Sequence, residues 1–178
     1  LSAMEEIFAK HKLPIELTRL PLVESSFNKH AKSKVGAAGI WQFMENTGKK
    51  KKLVIDDHID ERKSPFKATD AAARLLKENH MILGRSWELA ITAWNHGPGG
   101  VRIASRAAGT KDLARIIEVY SSRRFSFASE NFYAEFLAAL YTERYSDLIF
   151  PGLPRLAPLD VQELRLTRKM KLEEIMEV

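Results

Sequence analysis

Apolar residues recur every three or four positions along most of the chain, the spacing that predicts amphipathic helices. The first helix is expected to begin with Ser2 as its N-cap and to end near His11. Pro14 is well placed as the first residue of a second, largely apolar helix. Pro21 lies inside this second pattern and predicts a kink, or a new turn, just before Glu24.

Start and stop signals predict five further helices. Serine followed by proline at residues 64–65 opens one that ends at Gly84, and Ser86 caps the next one. The other expected helices cover residues 101–107, residues from Thr110 or Asp112 through Tyr120, and residues from an N-cap at Ser129 to about Tyr145. The inward face of the last of these helices is expected to consist of Phe132, Phe136, Leu140 and Tyr141, or of their neighbours.

The segments between the helices are mostly polar. Residues 28–35 and 53–61 are expected to be loops, while residues 37–44 are predicted as a buried helical or extended stretch closed by residues 46–48. Three prolines after residue 150 mark a domain edge, with a short strand at residues 159–166 and a helical fragment at residues 172–178. The pattern predicts an all-α domain of seven or eight helices over residues 1–150, followed by an extension over residues 151–178.

Composition and short motifs exclude several classes of binding partner and catalytic site. The net charge of +5 and pI near 9.4 suit a polyanionic partner, either nucleic acid or the anionic cell envelope. The absence of cysteine excludes disulfides and thiolate catalysis, and the five histidines form no His-x-x-x-His pair, so no metal site is predicted. The chain has no Gly-x-Ser-x-Gly elbow and no phosphate-binding loop, and the four lysines at residues 49–52 are expected to be a solvated surface.

Glu24 is the most promising candidate for chemistry. It stands among apolar residues, and no acidic residue lies between Glu24 and Glu45. Apolar surroundings raise the pKa of a carboxyl group toward the range of a general acid. The plain alternative for this residue is a solvated glutamate at a helix end.

Four motifs follow one another in the chain: Glu-Ser at residues 24–25, Gly-Ala-Ala-Gly-Ile-Trp-Gln-Phe-Met at residues 36–44, Asp-Glu-Arg at residues 60–62 before Ala-Ala-Ala-Arg-Leu-Leu at residues 71–76, and Ala-Trp-Asn-His-Gly at residues 93–97. Together they resemble the lytic transglycosylases of bacterial cell walls, over roughly residues 13–140. The most similar branch has a catalytic domain like goose-type lysozyme, followed by peptidoglycan-binding repeats. The resemblance implies an all-α, lysozyme-like domain with a cleft over residues 1–150, and a linker after it.

The resemblance also implies roles for individual residues. Glu24 would protonate the leaving glycosidic oxygen and then act as base on the C6 hydroxyl of the same sugar, giving a 1,6-anhydroMurNAc end without metal or cofactor. Ser33 would orient the acetamido group of that sugar. Gln42 and Met44 would line the sugar site, and Asn95 would border the cleft. The aromatic residues beside Gln42, at positions 41 and 43, are expected to belong to the core.

One position departs from the family pattern. The family has tyrosine where this chain has Trp94, and that tyrosine's hydroxyl bonds the catalytic carboxylate. An indole N–H can donate a hydrogen bond but cannot accept one. Either Trp94 holds Glu24 through its N–H or another residue supplies the bond; we expect Tyr133 to supply it, with Trp94 packed at the floor of the cleft. His96 fills a position that is often alanine in the family.

The preferred function is therefore a monomeric lytic transglycosylase that cleaves the MurNAc–GlcNAc β-1,4 bond in peptidoglycan strands of the periplasm or cell envelope. The chain starts at Leu1, so we expect a mature form or an excised domain, with any export signal or envelope anchor outside it. A hydrolytic muramidase would need a carboxylate to position water, and Asp56, Asp57 and Asp60 are the nearest candidates. A catalytically degenerate peptidoglycan-binding domain is a third alternative. A basic nucleic-acid binder is disfavoured because no recognition module is found.

Overall fold

The computed structural model describes residues 1–154 and 168–176. Within these residues the chain forms ten α-helices: α1 (Ser2–Lys10), α2 (Leu20–Ser25), α3 (Glu45–Lys50), α4 (Pro65–Ile82), α5 (Trp87–His96), α6 (Pro98–Ala108), α7 (Leu113–Val119), α8 (Phe127–Arg144), α9 (Ser146–Ile149) and α10 (Leu172–Met176). Short 3-10 segments cover Ile15–Arg19 and Glu61–Lys63. The described part of the chain contains isolated β-bridges and no β-strand, which confirms the predicted all-α class.

Most of the predicted helix starts are found where side-chain caps were expected. The hydroxyl of Ser64 accepts from the backbone N–H of Lys67 at the start of α4, and Ser86 caps α5 in the same way. Asp112 caps α7. These bonds satisfy backbone N–H groups that the first turn of a helix leaves without a partner. The predicted cap at Ser2 is wrong, because Leu1 occupies the N-cap position and Ser2 is already helical.

The predicted start of α8 is also wrong. The helix begins at Phe127 with Ser126 as its N-cap, and Ser129 lies buried within the first turns. The inward stripe of α8 runs through Phe132 and Phe136 to Leu140, which packs against the core. Tyr141 is 61% exposed, contrary to expectation, because one further residue turns about 100° away from that stripe.

Between α2 and α3 the chain folds back on itself twice. Antiparallel bridges join Ala38 to Lys32 on one side and to Phe43 on the other, so residues 37–44 form a buried turn instead of a helix or a continuous strand. Residues 46–48, expected to close this stretch, lie in α3. At the other end of the chain, the predicted helical fragment is found as α10, while the strand expected at residues 159–166 falls outside the described residues.

Two apolar clusters form the core. The first includes Phe8, Leu20, Trp41, Phe43, Leu76 and Ile91; the second includes Leu89, Ala93, Val101, Ile116 and Phe125. Helix α5 contributes to both clusters, and Tyr133 of α8 packs against both. Trp41 is fully buried and stacks on Phe8 at 5.8 Å, which confirms that this tryptophan belongs to the core. The C-terminal end of α5 is therefore anchored in both clusters.

Candidate active site

Glu24 lies in the last turn of α2, which is fixed on the buried turn. The hydroxyl of Ser25 donates to the carbonyl of Ile40 at 2.8 Å and ties the end of the helix to that turn. Ser26 then adopts a left-handed conformation with φ of 50° and ends the helix. The helix end and the turn thus hold the backbone on both sides of Glu24.

Burial is the main influence on the Glu24 carboxyl group. It raises the pKa of Glu24 to about 7, since a charged carboxylate loses its hydration there. Hydrogen bonding from Trp94 lowers this pKa in part, and the negative charge of Glu135 on α8 raises it. Glu24 can therefore exist in both protonation states near neutral pH, which a group that acts first as acid and then as base requires.

Trp94 is the residue whose hydrogen bonding partly offsets the rise in the pKa of Glu24. Its indole ring also packs on the core, with ring centroids 5.4 Å from Trp41 and 5.3 Å from Phe43. The expectation that Tyr133 supplies the hydrogen bond is wrong: of the two, only Trp94 acts on the carboxyl group by hydrogen bonding among the described residues. Tyr133 is placed by its packing against both clusters, and burial, together with the charge of Glu88, raises its pKa.

The buried turn is held by a buried arginine. Arg62 forms a two-pronged ion pair with Asp60, with both N–O distances 2.8 Å, and donates from Nη1 to the carbonyls of Gly36 at 2.8 Å and Phe43 at 3.2 Å. Gly39 sits directly against this segment, with φ of 76°, and a Cβ atom there would lie 1.8 Å from the carbonyl oxygen of Arg62. The motif at residues 60–62 therefore supports the turn beside Glu24.

Two of the three aspartates considered as water-positioning groups have other partners. Asp60 is engaged by Arg62, and this interaction lowers its pKa. Asp56 accepts from the backbone N–H groups of His58 and Ile59, both at 2.8 Å, and closes its own exposed loop. Asp57 is exposed in the same loop.

The predicted sugar-lining residues near the turn have defined positions. The oxygen of Ser33 accepts from the backbone N–H of Ala37 at 3.0 Å, which leaves the Ser33 hydroxyl proton for another acceptor. The amide nitrogen of Gln42 donates to the carbonyl of Gly39 at 2.8 Å. Met44 is 43% exposed at the start of α3. All three residues thus lie on one folded segment that follows Glu24.

A hydrogen-bonded chain joins the end of α5 to α8. Ser129 donates to Oδ1 of Asn95 at 3.2 Å and lies 3.0 Å from Nδ1 of His96. Neither Ser129 nor Glu135 was predicted as a site residue from the sequence, because Ser129 was expected to be a helix cap and Glu135 belongs to no motif. His96 also packs closely on Gly100, where a Cβ atom would lie 2.3 Å from its Nε2 atom.

The described residues contain no group of three or more histidine, aspartate or glutamate side chains arranged to hold a metal ion. Within the same part of the chain, no helix has the length and apolarity needed to cross a membrane.

Curated relatives are similar to part of this chain. The membrane-bound lytic murein transglycosylase D of Escherichia coli K12 is 37% identical over 92 residues, which are 52% of this chain and 20% of that protein. A putative tributyltin chloride resistance protein of Alteromonas sp. is 38% identical over 92 residues, 44% of its length. The matched segment thus spans a fifth of the length of the first relative and less than half of the length of the second.

A solved structure shows the same fold. The 70 kDa soluble lytic transglycosylase of Escherichia coli superposes with a TM-score of 0.62 at 21% identity, covering 79% of this chain and 24% of that one. This similarity confirms the predicted lysozyme-like architecture. The family model "Transglycosylase SLT domain" matches residues 5–117, more than half of the 178 residues. The chain therefore belongs to the transglycosylase SLT domain family, the family of lytic transglycosylase domains that its motifs resemble.

Proposed function

We propose that this domain cleaves the MurNAc–GlcNAc β-1,4 bond of peptidoglycan without water and leaves 1,6-anhydroMurNAc ends. The observation that carries the proposal is the half-buried Glu24, whose pKa of about 7 suits a group that donates a proton and then accepts one. The proposed site of action is the periplasm or cell envelope. The names of the relatives, which refer to lytic and murein transglycosylases, support the same substrate.

The proposed reaction has two steps that use one carboxyl group. Protonated Glu24 donates to the glycosidic oxygen while the acetamido oxygen of the MurNAc ring attacks C1, so that the C1–O bond breaks and an oxazolinium forms. The Glu24 carboxylate then removes the proton of the C6 hydroxyl. O6 attacks C1, the acetamido group is released, and Glu24 is protonated again. The atoms of the two products add up to those of the substrate, so no water is consumed.

Neighbouring residues would bind the sugars in this scheme. Ser33 has a hydroxyl proton left to orient the acetamido carbonyl, because its oxygen already accepts from Ala37. Exposed Met44 and the partly exposed Gln42 would contact the sugar rings, with Asn95 and Tyr133 at the cleft border. Trp94 would hold Glu24 and form the floor, so its role combines packing and hydrogen bonding.

A hydrolytic muramidase is the second candidate, and one observation favours it. Glu135 is a second carboxylate whose charge reaches Glu24, from an exposed position on α8. A muramidase would need such a group to position water. Asp56 and Asp60 are less suitable because each is already engaged in holding its own loop.

The products distinguish these functions. Purified sacculi are digested in ¹⁸O-labelled water, and the released fragments are analysed by mass spectrometry. We expect anhydro ends, lighter than reducing ends by one water and free of label, and Glu135→Gln is expected to give the same products. Labelled reducing ends that disappear in Glu135→Gln would establish the muramidase instead. Binding to sacculi without any release of fragments would indicate a binding domain.

A further inference from the structure

A groove of about 720 Å³ opens beside the end of α5. One wall is the end of α5 with Asn95 and His96, and the other is the segment between α7 and α8 that carries Arg123 and Arg124. Asn95 and His96 belong to the same helix as Trp94, whose hydrogen bonding lowers the pKa of Glu24 in part, so the groove and the candidate active site share α5.

The wall that carries the arginines is anchored in the second core cluster. Phe125 is 1% exposed and packs edge-on against His96 with the ring centroids 5.0 Å apart. The backbone N–H of Phe125 donates to the hydroxyl of Ser122 at 3.0 Å, which closes the turn that contains both arginines. This anchor fixes the backbone next to Arg123 and Arg124.

The lining of the groove is cationic. It includes two arginines and no aspartate or glutamate. Both arginines are exposed, and neither forms an ion pair with a described residue. Arg115 on α7, by contrast, pairs with Glu118 at 2.9 Å. The two guanidinium groups are therefore available to an anionic ligand.

Hydrogen bonds at the floor of the groove also favour a ligand with oxygen acceptors. Ser129 has a single O–H proton, which it donates to Oδ1 of Asn95. Nδ1 of His96 must then carry the proton that Ser129 accepts. This chain orients the Asn95 side chain so that its NH₂ group remains as a donor. The groove thus offers two guanidinium groups and an amide N–H, all suited to oxygen acceptors.

We propose that this groove binds a carboxylate of the peptide stem carried by the muramyl residue, and so makes the domain selective for strands with anionic stems. The inference rests on the proposed function, because it takes the ligand from that substrate. Sugar hydroxyl and acetamido groups are uncharged and would not match two unpaired arginines. The stem branches from the glycan strand and carries free carboxylates, which match the two arginines in charge.

Binding is measured with the Glu24→Gln protein, which is expected to bind without turnover. One ligand is a disaccharide–tetrapeptide with free stem carboxylates, and the other is the same molecule with those carboxylates converted to primary amides. We expect the acidic ligand to bind about tenfold more tightly, and Arg123→Ala with Arg124→Ala to remove that difference. The matched control is Arg102→Ala with Arg106→Ala, which removes two exposed charges of α6 outside the groove and is expected to keep the difference. Added salt should weaken binding of the acidic ligand only.

The inference is overturned if the Arg123/Arg124 variant distinguishes the two ligands as the parent does, or if the control loses the preference equally. Digestion of sacculi by the wild-type protein is assessed separately. A carboxylate preference that depends on Arg123 and Arg124 would support stem binding in the groove, whatever products the wild-type protein forms. The absence of anhydro products would contradict the proposed function and leave the groove inference standing.

Discussion

At the scale of single residues, the site depends on the environment of one carboxyl group. Burial brings the pKa of Glu24 to about 7, and the Trp94 indole partly stabilises the charged form. Trp94 is where the chain departs from the pattern that the resemblance implies, and hydrogen bonding from its indole lowers the pKa of Glu24 in part. The burial of Glu24 could be predicted from its apolar neighbours. The donor could not, because it depends on which side chains of α5 and α8 reach Glu24 in the fold.

Replacing Trp94 should move the pH dependence of turnover. Activity is expected to fall as pH rises through about 7, where Glu24 loses the proton it must donate. In Trp94→Phe the carboxylate loses its donor, so its pKa rises and the fall in kcat/KM should move up by about one pH unit. Trp94→Tyr should return the fall in kcat/KM to the wild-type pH, because the phenol hydroxyl can donate a hydrogen bond to the carboxylate. The measurement is kcat/KM on soluble glycan strands between pH 5 and 9.

Tyr133→Phe is the matched control for this shift. It removes a hydroxyl from the neighbouring helix without changing the donor to Glu24, so the descending part of the profile should stay at the wild-type pH. A shift in Tyr133→Phe together with an unchanged profile in Trp94→Phe would return the donor role to Tyr133.

At the scale of elements, the turn after α2 decides where the sugar-lining residues lie. The sequence predicted a buried stretch over residues 37–44, but it could not show that Arg62 and Asp60 hold this stretch as a turn. Their pairing is visible only once the 3-10 segment Glu61–Lys63 packs on the turn. Helices with a local cap, such as those begun by Ser64 and Ser86, were predicted closely because the signal and the bond involve neighbouring residues. Ser129 was misassigned because its partners are on α5, distant in sequence.

Alanine at the two turn glycines should have unequal effects. Both have positive φ, so alanine is disfavoured at either position by about 1–2 kcal/mol. Gly36 has open space around its missing Cβ, whereas at Gly39 that atom would meet the carbonyl of Arg62. Gly39→Ala should therefore lower the free energy of unfolding by several kcal/mol more than Gly36→Ala in urea titrations, and should reduce activity. Equal losses would show that Gly39 and Arg62 do not pack this closely.

At the scale of the whole molecule, the two core clusters meet along α5 and leave the Glu24 carboxyl group half-buried. The raised pKa of this group makes the stability of the fold depend on pH. An unfolded glutamate has a pKa near 4.3. Between that pH and about 7, the folded state binds more protons at Glu24 than the unfolded state does. The free energy of unfolding should therefore fall as pH rises through this window and level off above it.

Glu24→Gln does not titrate, so it isolates this contribution. The variant should be more stable than the wild type by about 1–3 kcal/mol at pH 8, and the difference should largely disappear at pH 4.5. This stability difference is smaller than the free energy equivalent to the whole pKa shift, because the Glu24 side chain keeps some contact with solvent. Urea unfolding of both proteins at the two pH values gives the difference directly. A difference that does not change with pH would contradict the raised pKa.

If Glu24 alone serves as acid and base, turnover must depend on its carboxyl group, which Glu24→Gln removes. The substitution keeps the shape of the side chain and removes only its ability to transfer a proton. Release of fragments from purified sacculi should fall by at least about 10²–10⁴-fold, while the variant still folds and binds sacculi like the wild type. Wild-type turnover by a folded Glu24→Gln protein would show that Glu24 is not the group that transfers the proton.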